Sequence, residues 1–320
     1  MDMMAVKEVK YLGFVVSSDA KIVKHIIARR NKSSNTIRNI INMISGLGTY
    51  SVESGSIYFK SLLRSSLLYA AETYYNITER ELRLIESKEE ECLRKIINTG
   101  SKSPAAILYL EFGVWPARFQ INVMMMNFLH YILNQKSESL ISRFFEAQLN
   151  NPIRGDWISN VRKVLKLLNI NQSFEDIQSM KINKFMNIVK TSTKEASFKY
   201  LLSKVKSKGK EINYGSELKC QRYLLRNRIL TWEEQVQIFS YRSRMNQLKY
   251  NFGGEDICLC SLPLDNEHLL NCESFNGGKP LNMDYTHIFN GTLKQQKDII
   301  QMLNRNMKIF ETFTQAQDCP

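Results

Sequence analysis

The chain has 320 residues, of which 43% are hydrophobic and 23% charged, and it contains six cysteines. This composition excludes wholesale disorder and a disulfide scaffold, and the length predicts two or three domains. The sequence shows no apolar run of about twenty residues, and its first residues lack the basic-then-apolar pattern of a secretory leader. We therefore expect an intracellular protein, in the nucleus or the cytoplasm, with no membrane partner. The net charge of +13 points to a polyanionic partner.

The N-terminal segment 6–16 is rich in β-forming residues and is interrupted by Gly13, which predicts a β-hairpin. After a predicted N-cap at Ser18 or Asp19, isoleucines recur at helical spacing as far as Ile44, which predicts an amphipathic helix. A helical projection places basic side chains opposite the isoleucines, where they could follow a phosphate backbone or could form a solvated face. The members of this basic strip are Lys21, Lys24, His25, Arg29 and Lys32.

Two more helices are predicted over residues 51–75 and 79–98. The second of them should begin with a capping box formed by Thr78 and Glu81. Its acidic cluster, Glu86 and Glu89 to Glu91, is expected to face solvent.

The central part of the chain continues the helical pattern. Pro104 is expected to open a short helix, residues 111–116 to form a turn, and residues 117–134 to form a buried helix. A break after Asn150 precedes a further helix that begins near Asp156, and we place a domain boundary there.

Residues 181–250 carry sixteen Lys and Arg against five Asp and Glu, and aromatic residues such as Phe198, Tyr200, Tyr223 and Tyr241 lie among them. Cations neutralise phosphates and aromatic rings stack on bases, so this mixture favours binding of RNA or single-stranded DNA over a merely solvated surface. The candidate binding residues are Lys190, Lys194, Lys199, Arg222 and Arg226.

The most specific spacing lies in residues 258–272, which read CLCSLPLDNEHLLNC. The four candidate metal ligands there are Cys258, Cys260, His268 and Cys272. Zinc prefers four tetrahedral thiolate and imidazole ligands, and a site closed by four protein ligands is structural. The spacing therefore predicts a structural zinc knuckle, in which His287 or Cys220 could replace one ligand. Alternatively, the cysteines are buried thiols and His268 caps or packs a short helix.

Other chemistries find no support. The chain has no phosphate-binding Gly-rich loop, no dinucleotide fingerprint and no nucleophile elbow. A two-metal polymerase groups carboxylates around its ions, and no two aspartates are adjacent anywhere in the sequence.

Three stretches carry a family resemblance: KYLGFVV at residues 10–16, SLLYAAETYYN at 66–76 and ILYLEFGVWP at 107–116. Together they resemble the region after the catalytic palm in reverse transcriptases of non-LTR retrotransposons. The second stretch is similar to that family's Leu-Tyr-Gly-x-Glu-x-Trp helix, with Ala70 in place of the glycine and Tyr74 in place of the tryptophan. The third looks like its Leu-Tyr-x-Glu-x-Gly-x-x-Pro turn, and the Cys/His cluster is similar to its CCHC knuckle.

The resemblance implies a mostly α fold in four parts. These are a β-hairpin remnant of the palm at 1–18, a thumb-like helical bundle at 19–100, a helical basic region that binds nucleic acid at 101–250, and a CCHC knuckle with a C-terminal helix at 251–320. The implied partners are RNA and/or DNA and an upstream or separate polymerase core. Because the catalytic aspartates are absent, an RNA-directed DNA polymerase activity of this chain alone is not expected. The alternative is a decayed or co-opted, zinc-stabilised helical module that binds proteins and not nucleic acid.

Overall fold

The computed structural model of the chain is mostly helical, at 67%, and begins with a two-stranded hairpin. It describes residues 7–19, 21–46, 51–101, 103–153, 155–207, 214, 216–225, 229–246, 248, 254–278, 281 and 283–317. The predicted hairpin is confirmed, because strands β1 (Glu8–Tyr11) and β2 (Phe14–Ser17) pair antiparallel. Gly13 in the connecting turn has a φ of +83°, a conformation that glycine adopts at no steric cost.

The predicted amphipathic helix is present as α1 (Val23–Gly46), whose isoleucines are buried. Against it lies a helical run made of α2 (Val52–Tyr58), a π-helical segment (Phe59–Leu63) and α3 (Arg64–Leu67). This run was predicted to reach residue 75 but ends earlier. The reason is that Ala70 adopts a left-handed φ of 59°, which an α-helix cannot contain.

Helix α4 (Glu79–Ile96) packs against α1 and begins with the predicted capping box. The Thr78 hydroxyl accepts a hydrogen bond from the Glu81 backbone N–H at 3.2 Å, and the Glu81 carboxylate accepts one from the Thr78 backbone N–H at 2.7 Å. Both bonds satisfy N–H groups that the first helical turn leaves without partners.

The prediction that the acidic cluster on α4 faces solvent is wrong. Glu86 and Glu89 are 3% and 0% exposed. The Glu89 carboxylate accepts hydrogen bonds from Arg64 Nε at 2.7 Å and from the Tyr109 hydroxyl at 3.0 Å. Arg118 Nε donates to Glu86 at 2.7 Å. A buried carboxylate persists only with such partners, and these come from distant parts of the chain that no local pattern reveals.

The middle of the chain forms a second helical layer. It contains α5 (Ala105–Phe112), α6 (Ala117–Leu133), α7 (Leu140–Asn150), α8 (Trp157–Leu167), α9 (Phe174–Ser179) and α10 (Ile182–Lys206). The buried helix predicted over residues 117–134 is confirmed as α6. Helices α6 to α10 share a hydrophobic core around Leu129, Val161, Ile177 and Phe185.

The C-terminal part contains α11 (Trp232–Arg242), α12 (Asn266–Asn271), α13 (His287–Asn290) and α14 (Leu293–Gln317). One hydrophobic core runs from Ile37 on α1 through Phe112 and Leu201 to Leu270 on α12 and Leu303 on α14. The C-terminal helices therefore pack into the same core as the N-terminal bundle. In the described ranges, no helix has both the length and the apolar content needed to cross a bilayer.

A buried ion pair ties α5 to α11 inside this core. Arg242 Nε donates to the Glu111 carboxylate at 2.9 Å, and the two side chains are 1% and 0% exposed. The Tyr223 hydroxyl donates to the same carboxylate at 2.9 Å. Beside Glu111, Gly113 has a φ of +61°, and a Cβ on it would lie 1.9 Å from the Cys220 backbone nitrogen. Only glycine fits where these two segments meet.

Candidate metal centre and basic surfaces

The four predicted ligands come together at one place. Their ligand atoms, from Cys258, Cys260, His268 and Cys272, all lie within 4.8 Å of one another. The sulfurs of Cys258 and Cys272 are 3.5 Å apart, and Cys260 Sγ lies 3.2 Å from His268 Nε2. Zinc bound tetrahedrally at about 2.3 Å from each sulfur holds two sulfurs about 3.8 Å apart. The donor set and its spacing thus fit a zinc ion.

A tight turn presents the first two ligands. The Ser261 backbone N–H donates to the Cys258 carbonyl at 2.8 Å, and the Cys258 N–H donates to the Leu262 carbonyl at 2.9 Å. Ser261 takes a left-handed φ of 66° to complete the turn. This geometry lets Cys258 and Cys260 point to the same side although a single residue separates them.

Helix α12 presents the other two ligands. Asp265 caps its N-terminus by accepting a hydrogen bond from the His268 backbone N–H at 2.7 Å. His268 and Cys272 are four residues apart, and the Cys272 N–H donates to the His268 carbonyl at 2.8 Å, so both side chains lie on one helix face. The alternative in which His268 caps the short helix is wrong, because Asp265 is the cap.

The two buried thiols of the cluster differ electrostatically. Burial raises the pKa of Cys258 to about 12. Burial also acts to raise the pKa of Cys272, but hydrogen bonds from the Ser274 backbone N–H and the Cys258 thiol outweigh it and hold that pKa below its ordinary value. N–H groups directed at cysteine sulfur favour the thiolate, the form that binds metals.

The two substitute ligands considered from the sequence lie outside the cluster. His287 Nε2 faces the Asp284 carboxylate at 3.8 Å. Cys220 is half-buried, and its thiol faces the Gln221 carbonyl at 3.8 Å. Among the described residues, the group that could hold a metal consists of the four predicted ligands.

Two members of the predicted basic strip, Lys24 and Arg29, hold the hairpin in place. Lys24 forms an ion pair with Glu8 at 2.7 Å, and Arg29 Nη2 donates to the Gly13 carbonyl at 2.5 Å while its guanidinium lies 4.2 Å above the Tyr69 ring. His25 does not belong to the exposed strip, because it is fully buried beneath the hairpin. Lys21 and Lys32 remain exposed.

The candidate residues in the second basic segment do not share one face. Lys190, Lys194 and Lys199 lie on α10, where nine residues at 100° each place Lys190 and Lys199 on opposite sides. Lys194 forms an ion pair with Glu217 at 2.6 Å. Arg222 is exposed, and Arg226 lies outside the described residues.

Most aromatic residues of that segment are core residues. Phe198, Tyr223 and Tyr241 are at most 8% exposed, so these rings cannot stack on bases. The sequence had favoured such stacking. Tyr200 is half-buried, with the Arg118 guanidinium 5.0 Å from its ring centre. Arg242, counted among the cations of the segment, is buried against Glu111.

Three grooves lie side by side along α3 and α6, and we call them together the polar track. The first, the α1 groove, is lined by Lys32, Thr36, Asn39, Asn42, Met43, Leu62 and Ser66. The second, the motif cavity, is lined by Lys60, Arg64, Ser65, Leu68, Tyr69, Ala70, Glu72, Gly113, Val114, Trp115, Gln120 and Met124. The third, the α6 groove, is lined by Glu72, Val123, Met124, Asn127, Phe128, Tyr131, Ile182, Asn183, Met186 and Lys190.

The polar track brings together basic residues from segments that are distant in the sequence. Ser65 lines the motif cavity and its neighbour Ser66 lines the α1 groove, so these two grooves lie on adjoining faces of α3. Glu72 and Met124 line both the motif cavity and the α6 groove. Lys32 lies in the first groove and Lys190 in the third. Sequence reasoning missed Lys60 and Gln120, because neither stands in a basic run or a motif.

No protein-family model, curated protein or solved structure matches the chain. The functional assignment therefore depends on the residues and their geometry.

Proposed function

We propose that the chain binds nucleic acid along the polar track and serves as the C-terminal part of a reverse-transcriptase-like protein whose polymerase core lies elsewhere. The observation that carries the proposal is the track itself. It combines cations, neutral hydrogen-bonding side chains and exposed aromatic rings in adjoining grooves, with Lys32 and Lys190 in the two outer ones. Cations bind phosphates, whereas amides and aromatic rings contact sugars and bases.

The backbone at the motif positions supports the family assignment. Ala70 occupies the position of the motif glycine in the stretch at 66–76 and has a left-handed φ of 59°. Gly113 occupies the glycine position in the stretch at 107–116 and is also left-handed, with a φ of 61°. Both stretches line the motif cavity. A left-handed backbone favours glycine, so the structure gives a physical reason for the glycine position in each motif.

In this proposal the Cys/His cluster is a structural zinc site. The four side chains would supply all four ligands of a tetrahedral zinc ion, which would leave no place for a substrate or a reactive water. The proposal includes no catalytic step. The buried carboxylates Glu86, Glu89 and Glu111 are each bound to an arginine, as expected of structural ion pairs.

The second candidate is a zinc-stabilised module that binds proteins. It is favoured by the burial of Arg242 and Tyr223 and by the ion pairing of Lys24 and Lys194, which remove several expected nucleic-acid contacts. The two candidates make different predictions for binding to a polyanion at moderate salt.

The deciding experiment measures the anisotropy of labelled single-stranded RNA, single-stranded DNA and a primer–template duplex over a range of salt concentrations. A triple variant, Lys32→Ala, Lys60→Ala and Lys190→Ala, should bind more weakly and should lose about one unit of salt slope per phosphate contact removed. A control triple variant replaces Lys163, Lys166 and Lys308, which are exposed lysines that line none of the three grooves.

Equal losses in both triple variants would show that net charge alone drives binding and would refute the track. If the unmodified chain binds none of the three nucleic acids, the protein-binding module becomes the better assignment.

A further inference from the structure

The motif cavity has a larger volume than the groove on either side, and its walls are mixed. It has a volume of about 770 Å³, which is within the range of pockets that enclose small organic ligands. Its apolar walls include Leu68, Val114 and Met124, while charged and amide side chains stand around them. A simple anion would leave the apolar walls unused, and a purely apolar ligand would leave the cations without a partner.

Two cations stand on the α3 side of the cavity. Lys60 is exposed, and Arg64 is held rigidly because its Nε donates to Glu89 at 2.7 Å and its Nη2 donates to the Trp115 carbonyl. In the described part of the chain no hydrogen bond uses Arg64 Nη1, and Arg64 lines the cavity. A guanidinium fixed in this way is suited to a phosphate oxygen.

Groups suited to a base and a sugar stand on the remaining walls. Gln120 Oε1 accepts a hydrogen bond from Trp115 Nε1 at 2.9 Å, which leaves the Gln120 amide N–H groups as donors. Arg29 covers one face of the Tyr69 ring, but Tyr69 lines the cavity and is 40% exposed, so part of its aromatic surface is available to a base. The half-buried Glu72 carboxylate can accept hydrogen bonds from sugar hydroxyls.

We propose that the motif cavity receives a single nucleotide of the bound strand, whose base is turned out of the stack. The phosphate then contacts Lys60 and Arg64, and the base lies against Tyr69 with its edge at the Gln120 amide. This inference rests on the proposed function, because the α1 and α6 grooves hold the strand on either side of the nucleotide. Turning out a base has a moderate energetic cost, which a cavity of complementary chemistry offsets.

The test uses single-stranded oligonucleotides with one 2-aminopurine, whose fluorescence rises when the base leaves the stack, placed at each position in turn. The full chain should raise the fluorescence at one position. Ser65→Trp should fill the cavity and abolish this rise while salt-dependent binding of the oligonucleotide persists. Gln120→Ala should weaken capture of the base by up to about tenfold, the effect of one lost hydrogen bond.

The matched control is Ser87→Trp, which adds the same bulk at another exposed helical serine outside the cavity. It should leave both binding and the fluorescence rise unchanged, and thermal unfolding of all variants confirms that they fold. Adenosine 5′-monophosphate alone should compete only weakly. If its dissociation constant is lower than that of the oligonucleotide, the cavity binds free nucleotides, and the proposal that it receives a nucleotide of the bound strand is overturned.

Failure of the inference and failure of the proposed function look different. Suppose that oligonucleotides bind but 2-aminopurine fluorescence rises at no position, or that it rises as much with Ser65→Trp as with the unmodified chain. Then no nucleotide enters the cavity, while binding along the polar track remains supported. Absence of any oligonucleotide binding overturns both.

Discussion

Ala70 holds a backbone conformation that is unfavourable for a residue with a Cβ atom. Its φ and ψ are 59° and 20°. The left-handed region costs about 1–2 kcal/mol for such a residue. Glycine avoids this cost but loses about 0.5–1 kcal/mol through its greater freedom in the unfolded chain. Ala70→Gly should therefore raise the free energy of unfolding by about 0.5–1 kcal/mol, measured by urea denaturation.

Ala147→Gly is the control for this substitution, because Ala147 is an exposed residue within helix α7. There glycine should lower the free energy of unfolding by about 1 kcal/mol. A loss of stability in both variants would contradict the left-handed assignment at residue 70.

His25 makes the hairpin sensitive to acid. The Val15 backbone N–H donates to His25 Nδ1 at 3.2 Å, so Nε2 carries the proton and donates to the Tyr69 carbonyl at 3.1 Å. Burial lowers the pKa of His25, and the charge of Arg29 adds to this effect. The neighbouring Tyr74 ring stays neutral, because burial raises its pKa. Protonation of Nδ1 would place two N–H groups against each other.

The sign of the pH effect follows from linkage. Below about pH 6.5 the unfolded chain takes up a proton at His25 more readily than the folded chain does. The free energy of unfolding should therefore fall as the pH decreases from 6.5 through the lower folded-state pKa. His25→Gln offers one acceptor and one donor without titrating, so its stability should depend less on pH over this window. Denaturation series at several pH values compare the two proteins, and parallel curves would exclude this role of His25.

At the scale of elements, the pairing of Glu111 on α5 with Arg242 on α11 has the clearest energetic consequence. Arg242→Met leaves a buried carboxylate without its cation and should cost about 3–5 kcal/mol of stability. The double variant Glu111→Leu with Arg242→Met should recover much of that loss, because the uncompensated charge is then gone. Chemical denaturation of both single variants and the double variant measures this coupling.

An exposed pair provides the comparison. Lys194 and Glu217 are as close, at 2.6 Å, but their side chains are 39% and 49% exposed. Lys194→Met should cost less than about 1 kcal/mol. If Arg242→Met costs no more than Lys194→Met, the buried pair does not stabilise the junction of α5 and α11.

Elements whose determinants are local could be predicted from the sequence. The capping box of Thr78 and Glu81 and the start of a helix near Asp156 are both confirmed, and in each case the capping hydrogen bond joins residues three positions apart. The burial and ion pairing of Glu89 and Glu111 could not be predicted in this way. Their partners Arg64 and Arg242 are 25 and 131 residues distant, and an acidic residue on a helix has the same local pattern whether or not such a partner exists.

At the scale of the whole molecule, the metal ligands depend on local sequence, whereas the role of each basic residue depends on distant parts of the chain. The four ligands lie within fifteen residues, so their spacing indicated the site, and the structure brings them together. The basic residues were predicted to bind nucleic acid because many of them occur in one segment of the sequence. Whether each one is exposed, paired or buried depends on packing between distant helices, so Arg242 became a core residue while Lys60, outside any basic run, lines the motif cavity.

The Cys/His cluster shares the main core, so loss of zinc should affect the whole molecule. Cys258 and Cys272 belong to the same hydrophobic cluster as Leu270, Leu303 and residues of α1. The purified chain should contain about one zinc, and Cys260→Ala should lose it, whereas Cys220→Ala, outside the cluster, should retain it. A ligand at about a thousand times its Kd stabilises the folded state by about 4 kcal/mol, so chelation should lower the unfolding midpoint by roughly 6 °C.

An independent knuckle would behave differently. It would unfold on chelation and be cut by protease within residues 254–278, while the remaining helices kept their original midpoint. Calorimetry combined with limited proteolysis separates the two cases. A shared core requires a single transition that moves as a whole, because unfolding α12 exposes Leu269 and Leu270, which are fully buried, and opens the contact between α12 and α14.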